Sequence, residues 1–314
     1  MGIRRSLAAR FRDPLNILRA TLILAALVIV FVFVQIARYE RPVSQSVKEA
    51  PEASLDAAVL TPTAAHVTTA AGTESTLRVC ADPNDLPFSN QRRQGFENKI
   101  AALVGRSLRE PVKYVWWSER KNFVRNTLGA GLCDVVMGLP SGMPGVLTTR
   151  PYYRSAYSFV YRKDRELNLR SLNDPRLRRL RIGVHVTGDD YAPPARALAR
   201  RGIVNNIVGY SLFGAYSEQN PSSKIIDAVA SGKIDVAIVW GPLAGYFAGR
   251  ERVTLAVVPI STMAAPNVPP LAYSISVGVR KSAPRLEAQV QAALLERHTR
   301  IHQILTSYGV PLTP

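Results

Sequence analysis

Beyond residue 76 the apolar residues of the chain alternate between two spacings. Short runs of strand character, "LRVCA" (77–81), "VKYVWW" (112–117) and "LCDVVMGL" (132–139), are separated by stretches with apolar residues three and four apart. The first of these carries Ile100, Leu103, Val104 and Leu108 after Gly95, and the second carries Phe123, Val124, Thr127 and Leu128. A strand–helix–strand series of this kind predicts a parallel sheet with right-handed crossovers. "YSFVYRK" (157–163) then leads through the basic loop "RSLNDPRLRRLR" into a second series: "RIGVHV" (181–186), a helix near Pro194–Arg201, "NNIVGY" and a helix near Ser223–Ala230. "KIDVAIVW" (233–240), a short helix through Gly245 and Phe247, and "VTLAVVPI" (253–260) follow. The proline-rich stretch 265–273 leads to the strand "SISVGV" and one last helix from Pro284 to about Ser307. Two α/β lobes joined by two crossing segments, near Tyr161 and Ala272, account for this order. The expected architecture is a clamshell, with residues 76–161 and 273–314 in lobe 1 and 162–272 in lobe 2.

The N-terminal quarter follows a different pattern. Residues 20–37, "ATLILAALVIVFVFVQIA", hold no charge and have the length of a membrane span. Arg4, Arg5, Arg10, Arg12 and Arg19 precede them, so residues 1–19 are expected in the cytoplasm and the body outside. An uncleaved signal anchor at 20–37 is the favoured reading, and cleavage to a soluble periplasmic form is the alternative. Residues 38–75, rich in Ala, Thr, Val, Pro and Glu without periodicity, read as a disordered tether.

Charge and cysteine usage narrow the function. Residues 1–75 carry eight Lys/Arg and six Asp/Glu, whereas the remaining residues carry 32 and 17, so nearly all of the +17 sits on the body. Such a surface attracts anionic partners. An exported chain without a recognition motif is nevertheless not expected to bind nucleic acid. Arg176, Arg178, Arg179, Arg181, Arg200 and Arg201 are either solvated faces or a docking surface for an acidic protein. In an exported chain Cys80 and Cys133 are a disulfide or two buried thiols. His298 and His302 lie four apart on the last helix, but no third ligand accompanies them, so no metal site and no cofactor are expected.

Several segments together resemble a known family. "LRVCADPNDLPFSN", "GFENKIAALVGRSL", "YVWWSERKNFVRNTLGAGLCDVVMGLPSG", "LTTRPYYRSAYSFVYR", "RIGVHVTGDDYAPPARALARRGIVNNIVGYSLFG", "DAVASGKIDVAIVWGPLAGYFA" and "YGVPL" span Leu77 to Leu312. Their order and spacing resemble the type II periplasmic solute-binding proteins of the family 3 superfamily. Within it they resemble more closely one branch, the solute-binding-like proteins associated with quinoprotein (PQQ) dehydrogenases, the MoxJ/XoxJ type. The resemblance implies a periplasmic accessory protein that assists a PQQ-dependent alcohol (methanol) dehydrogenase, or its cytochrome c, and holds a peptide segment or small molecule between the lobes. The alternative is a transport receptor for a small polar ligand, neutral or cationic. One departure from the amino-acid receptors stands out. Their Thr-x-Glu-Arg clamp is replaced by "LPSGMPGVLTTRPYY", which leaves only Arg150 for the ligand carboxylate.

Ligands of doubly wound sheets bind beyond the carboxyl ends of the strands. That rule points to Asp82, Phe88, Trp117, Ser141, Tyr153, Asp189 and Trp240 as cleft residues. No triad, metal set or carboxylate pair of defined role points to an enzyme.

Overall fold

The computed structural model describes residues 75–187, 190–213, 220–261 and 270–314. The apolar segment 20–37 and the tether up to residue 74 lie outside the described residues. Among the described residues no helix is long and apolar enough to cross a membrane.

Strand β1 (Leu77–Ala81) pairs in parallel with β4 (Val112–Trp116) on one side and β5 (Val135–Pro140) on the other. Two-residue strands β2 (Asn84–Asp85) and β3 (Ser89–Asn90) form a small hairpin between β1 and helix α1 (Phe96–Leu108). Helix α1 buries Phe96, Ile100, Leu103 and Val104, as its spacing predicts. It ends at Arg109, which takes a left-handed conformation with φ 59°.

The second expected helix is shorter than its pattern. Only α2 (Phe123–Asn126) is helical, entered from Asn122 at φ 67°. Leu128 is fully buried from a turn beyond it, and Thr127 donates its hydroxyl to the Phe123 carbonyl at 2.7 Å. The helix stops at Thr127, whose φ is −115° and ψ −79°, and Gly131 at φ +76° lies in the turn that follows.

After β6 (Leu147–Thr148), strand β7 (Tyr153–Arg162) organises the molecule. Its first part, Tyr153–Ala156, pairs antiparallel with β13 (Ala272–Val279). From Tyr157 onward it pairs antiparallel with β11 (Val236–Trp240), and from Ser158 also with β12 (Leu255–Pro259). At the exchange point Tyr157 N–H donates to the Leu271 carbonyl at 2.7 Å, so both connections pass side by side. In the second half β8 (Ile182–Thr187) lies parallel between β10 (Ile207–Ser211) and β11. Strand β9 (Asp190–Tyr191) pairs antiparallel with β8.

Each half therefore has three parallel strands, and the sheets are mixed rather than purely parallel. The crossing strands β7 and β13 supply the antiparallel edges. Helices α3 (Pro193–Ala199), α4 (Lys224–Ala230) and α5 (Gly241–Ala248) complete the second half.

The last expected helix is two. Helix α6 (Pro284–Glu296) and helix α7 (His298–Ser307) meet at Arg297, where φ is −98° and ψ 9°. Arg297 donates from Nε to Ser107 Oγ on α1 at 2.9 Å and pairs with Glu296 at 3.0 Å. The bend lets Ile301, Ile304 and Leu305 turn toward the core. It also leaves His298 facing the Leu295 carbonyl at 3.0 Å and the Thr299 hydroxyl at 3.2 Å, while His302 is exposed.

Candidate functional site

The stretch after β1 is held by its own polar atoms. Asp82 is buried, and its Oδ1 accepts from the Asn84 N–H at 2.7 Å. Its Oδ2 accepts from the Glu119 N–H at 2.6 Å, which ties the loops after β1 and β4 together. Ser89 donates its hydroxyl to the Asp82 carbonyl at 2.8 Å. The carbonyls of Pro87 and Phe88 accept from the N–H groups of Phe96 and Glu97, at 2.8 and 3.0 Å. These are donors that a helix start leaves without intrahelical partners. Such close packing requires glycine at 95, since a Cβ there would overlap the Phe88 carbonyl. The loop thus caps α1 and aims Asp85 and Phe88 in one arrangement.

Between the two halves lies a cavity of about 420 Å³. Phe88, Tyr153, Tyr157, Phe213, Trp240 and Tyr273 form its aromatic walls. Tyr157 and Trp240 stand 5.5 Å apart, and Trp240 and Tyr273 meet edge to face at 5.8 Å. Phe96 packs behind, 5.3 Å from Phe88 and 6.1 Å from Tyr153. Three carboxylates line the same cavity: Asp85, Glu97 and Glu119. Glu97 sits in the first turn of α1, a position that favours negative charge. Its Oε1 comes so close to Gly138, at φ +73°, that a Cβ there would overlap it. His185 also lines the cavity, with Nε2 3.3 Å from the Ser222 carbonyl. Burial lowers its pKa to about 4, so the ring is neutral at ordinary pH.

Burial also sets the charge state of the acids. Desolvation, followed by the charges of Glu119, Asp82 and Glu97, pushes Asp85 well above the usual carboxylate range. Desolvation and then Glu119 do the same to Glu97. Glu119 is raised to about 7 by desolvation and then by Asp82. Glu119 is nonetheless an exposed residue that lines the cavity, so water screens part of its desolvation and of the repulsion from Asp82.

Between the ordinary glutamate pKa and about 7 the folded protein holds a proton on Glu119 that the unfolded chain releases. Stability should fall as pH rises through that window. Glu119→Gln should raise the melting temperature at pH 8 and flatten its slope between pH 5 and 8. A scanning calorimetry series in which the variant keeps the wild-type slope would refute this assignment.

The expected cleft residues divide. Phe88, Tyr153 and Trp240 line the cavity. Asp82 lies beneath it as a clamp of the loop. Trp117 is 45% exposed and does not line the cavity. Ser141 sits in an exposed turn, its N–H bonded to the Ser274 carbonyl at 2.8 Å. Asp189 lies outside the described residues. Arg150 is exposed and away from the cavity, with its backbone N–H on Gln291 Oε1 at 2.5 Å, so it does not serve as a carboxylate clamp there. Sequence reasoning passed over Asp85, Glu97 and Glu119. The first and last lie in or just past the loops that the strand-end rule selects.

The expected basic cluster is largely engaged within the fold. Arg176 grips Asp174 at 2.7 and 3.0 Å, and Arg181 grips Asp235 at 3.1 Å through both Nε and Nη2. Arg178 donates to the Arg201 carbonyl at 2.8 Å, and Arg201 reaches Asn173 and the Ala197 carbonyl at 2.8 and 2.7 Å. Arg179 and Arg200 are exposed. Cys80 and Cys133 are joined by a disulfide with Cα atoms 5.6 Å apart. Among the described residues no group of three His, Cys, Asp or Glu side chains is placed to hold a metal ion.

No family model matches the chain. It is 34% identical to the protein MoxJ of Paracoccus denitrificans over 250 residues, covering 76% of this chain and 89% of that protein. With MoxJ of Methylorubrum extorquens it shares 33% identity over 251 residues, 76% of this chain and 82% of the other. The crystal structure of the periplasmic binding protein XoxJ from Methylobacterium extorquens superposes with a TM-score of 0.63 at 36% identity, covering 76% of this chain and all of XoxJ. The matched length and the two-part sheet with its central cavity agree: the chain belongs to the MoxJ family and has a periplasmic-binding-protein fold.

Proposed function

We propose that this protein is an accessory binding protein of a PQQ-dependent methanol dehydrogenase system in the periplasm, and that its cleft holds a peptide segment or small molecule of that system. The observation that carries this reading is the 33–34% identity to MoxJ proteins over 76% of the chain. A cavity flanked by both halves of the sheet supports binding as the activity. Lobe 1 comprises 76–161 and 273–314 and lobe 2 comprises 162–272, with residues 20–37 anchoring the protein in the inner membrane and 38–75 as its tether. A relative rotation of the lobes about the paired connections would open and close the cleft.

The decisive measurement is capture from a periplasmic extract of methanol-grown cells using the tagged full-length protein. Enrichment of the methanol dehydrogenase or its cytochrome c is the expected outcome. Absence of both, together with tight binding of a free solute, would refute the accessory role. It would favour a transport receptor, a second reading supported by a cavity within the size range of small-molecule sites.

A further inference from the structure

The same cavity says more about its occupant, on the premise that the cleft is a binding site. The body carries 32 Lys and Arg side chains, yet among the described residues lining the cavity none is a lysine or arginine. Segments 188–189, 214–219 and 262–269, outside the described residues, contain neither type in their sequence. Arg120, next to Glu119 in the chain, lies over the Phe213 ring at 5.4 Å instead of lining the cavity. Facing that space are Asp85, Glu97 and Glu119. Glu97 is only 9% exposed, and its carboxylate has no hydrogen bond or ion pair among the described residues. A buried carboxylate without a partner is costly, and a ligand cation would remove that cost.

The carboxylates alone would leave the nature of the cation open, but the rest of the wall does not. Among the described residues no three acids are placed to hold a bare metal ion. Phe88, Tyr153, Tyr157, Trp240 and Tyr273 line the same space. Aromatic surface beside carboxylates fits a charge carried on a carbon stem, where cation–π attraction and apolar burial act together. We propose that the cleft binds an organic cation, an alkylammonium or guanidinium group, with its charge among Asp85, Glu97 and Glu119 and its stem against Trp240 and its neighbouring tyrosines. The raised pKa values of the acids agree with this, since the desolvation and mutual repulsion that raise them are what a ligand cation would offset. The group is either a free amine or the Lys or Arg side chain of a partner polypeptide.

The test is calorimetric titration of the full-length protein with three probes of one chain length: pentylammonium, 1-pentanol and valerate. The cation should bind, with the alcohol weaker by about tenfold or more and the carboxylate not detected. A Gly-Lys-Gly-containing pentapeptide and its norleucine counterpart form a second arm. Tighter binding of the lysine peptide than of pentylammonium identifies a polypeptide source, and the reverse order a free solute. Glu97→Gln should weaken the cation by about tenfold. Because that variant risks misfolding, Glu119→Gln at the mouth is measured alongside it. Equal affinity for pentylammonium and pentanol, no binding of either cationic probe, or unchanged affinity in a folded Glu119→Gln variant overturns the proposal. Capture of the dehydrogenase without cation selectivity would sink this inference alone. Selectivity without capture would sink the accessory role alone.

Discussion

Phe96→Ala is expected to cost about 3–5 kcal/mol of folding stability, among the largest effects of any single truncation in this protein. The ring is fully buried at the first residue of α1, in edge contact with Phe88, Tyr153 and Tyr308 at 5.3, 6.1 and 5.8 Å. Two of those three neighbours line the cavity, so the void opens directly behind the aromatic wall. Phe96→Leu keeps most of the volume and should cost less than about 1.5 kcal/mol. Urea denaturation followed by tryptophan fluorescence measures both. A loss below about 1 kcal/mol for the alanine variant would show that the wall is not supported from behind as described.

Breaking the Cys80–Cys133 bond is the second large effect. The two cysteines are 53 residues apart in sequence, and a loop of that length restricts the unfolded chain by about 4 kcal/mol in the chain-entropy treatment. Both are buried in a small cluster with Phe123, Leu128, Val136 and Leu139, so the bond also closes the irregular segment around α2 onto the sheet. The double variant Cys80→Ala, Cys133→Ala, or full reduction, should lower the denaturation midpoint accordingly. Equal midpoints in the presence and absence of reductant would exclude a stabilising bond. Such dependence suits an oxidising compartment, in keeping with the proposed location.

Much of the fold was readable because its strands are short, apolar and separated by amphipathic stretches. Leu77–Ala81 and Val236–Trp240 are examples that no competing helical reading fits. The errors came from local signals that distant contacts overrode. Leu128 satisfies the helical spacing, yet it reaches the core from a turn. Likewise, nothing in "ERHTR" announces the bend at Arg297, which depends on Ser107 from another helix.

The site was legible as a set of loops and less so as a set of side chains. The strand-end rule found the segment around Trp117, but the residue that turns to the cavity is Glu119, whose backbone is drawn in by Asp82. Glu97 gave no signal at all. An acid in the first turn of a helix reads as an ordinary partner of the helix dipole. What makes it different is the bare backbone of Gly138, 41 positions away.

The exchange of partners along β7 also makes the two halves differ in how far apart their paired strands lie in the chain. The strands of the second half, from Ser158 to Pro259, are consecutive in the chain and can find one another as soon as they exist. The first half cannot close so early, because Val135 on β5 must wait for Val279 on β13. Distant pairings of that kind form slowly. The cavity, lined from both halves, is therefore complete only when the C-terminal β13 has taken its place beside β5 and β7.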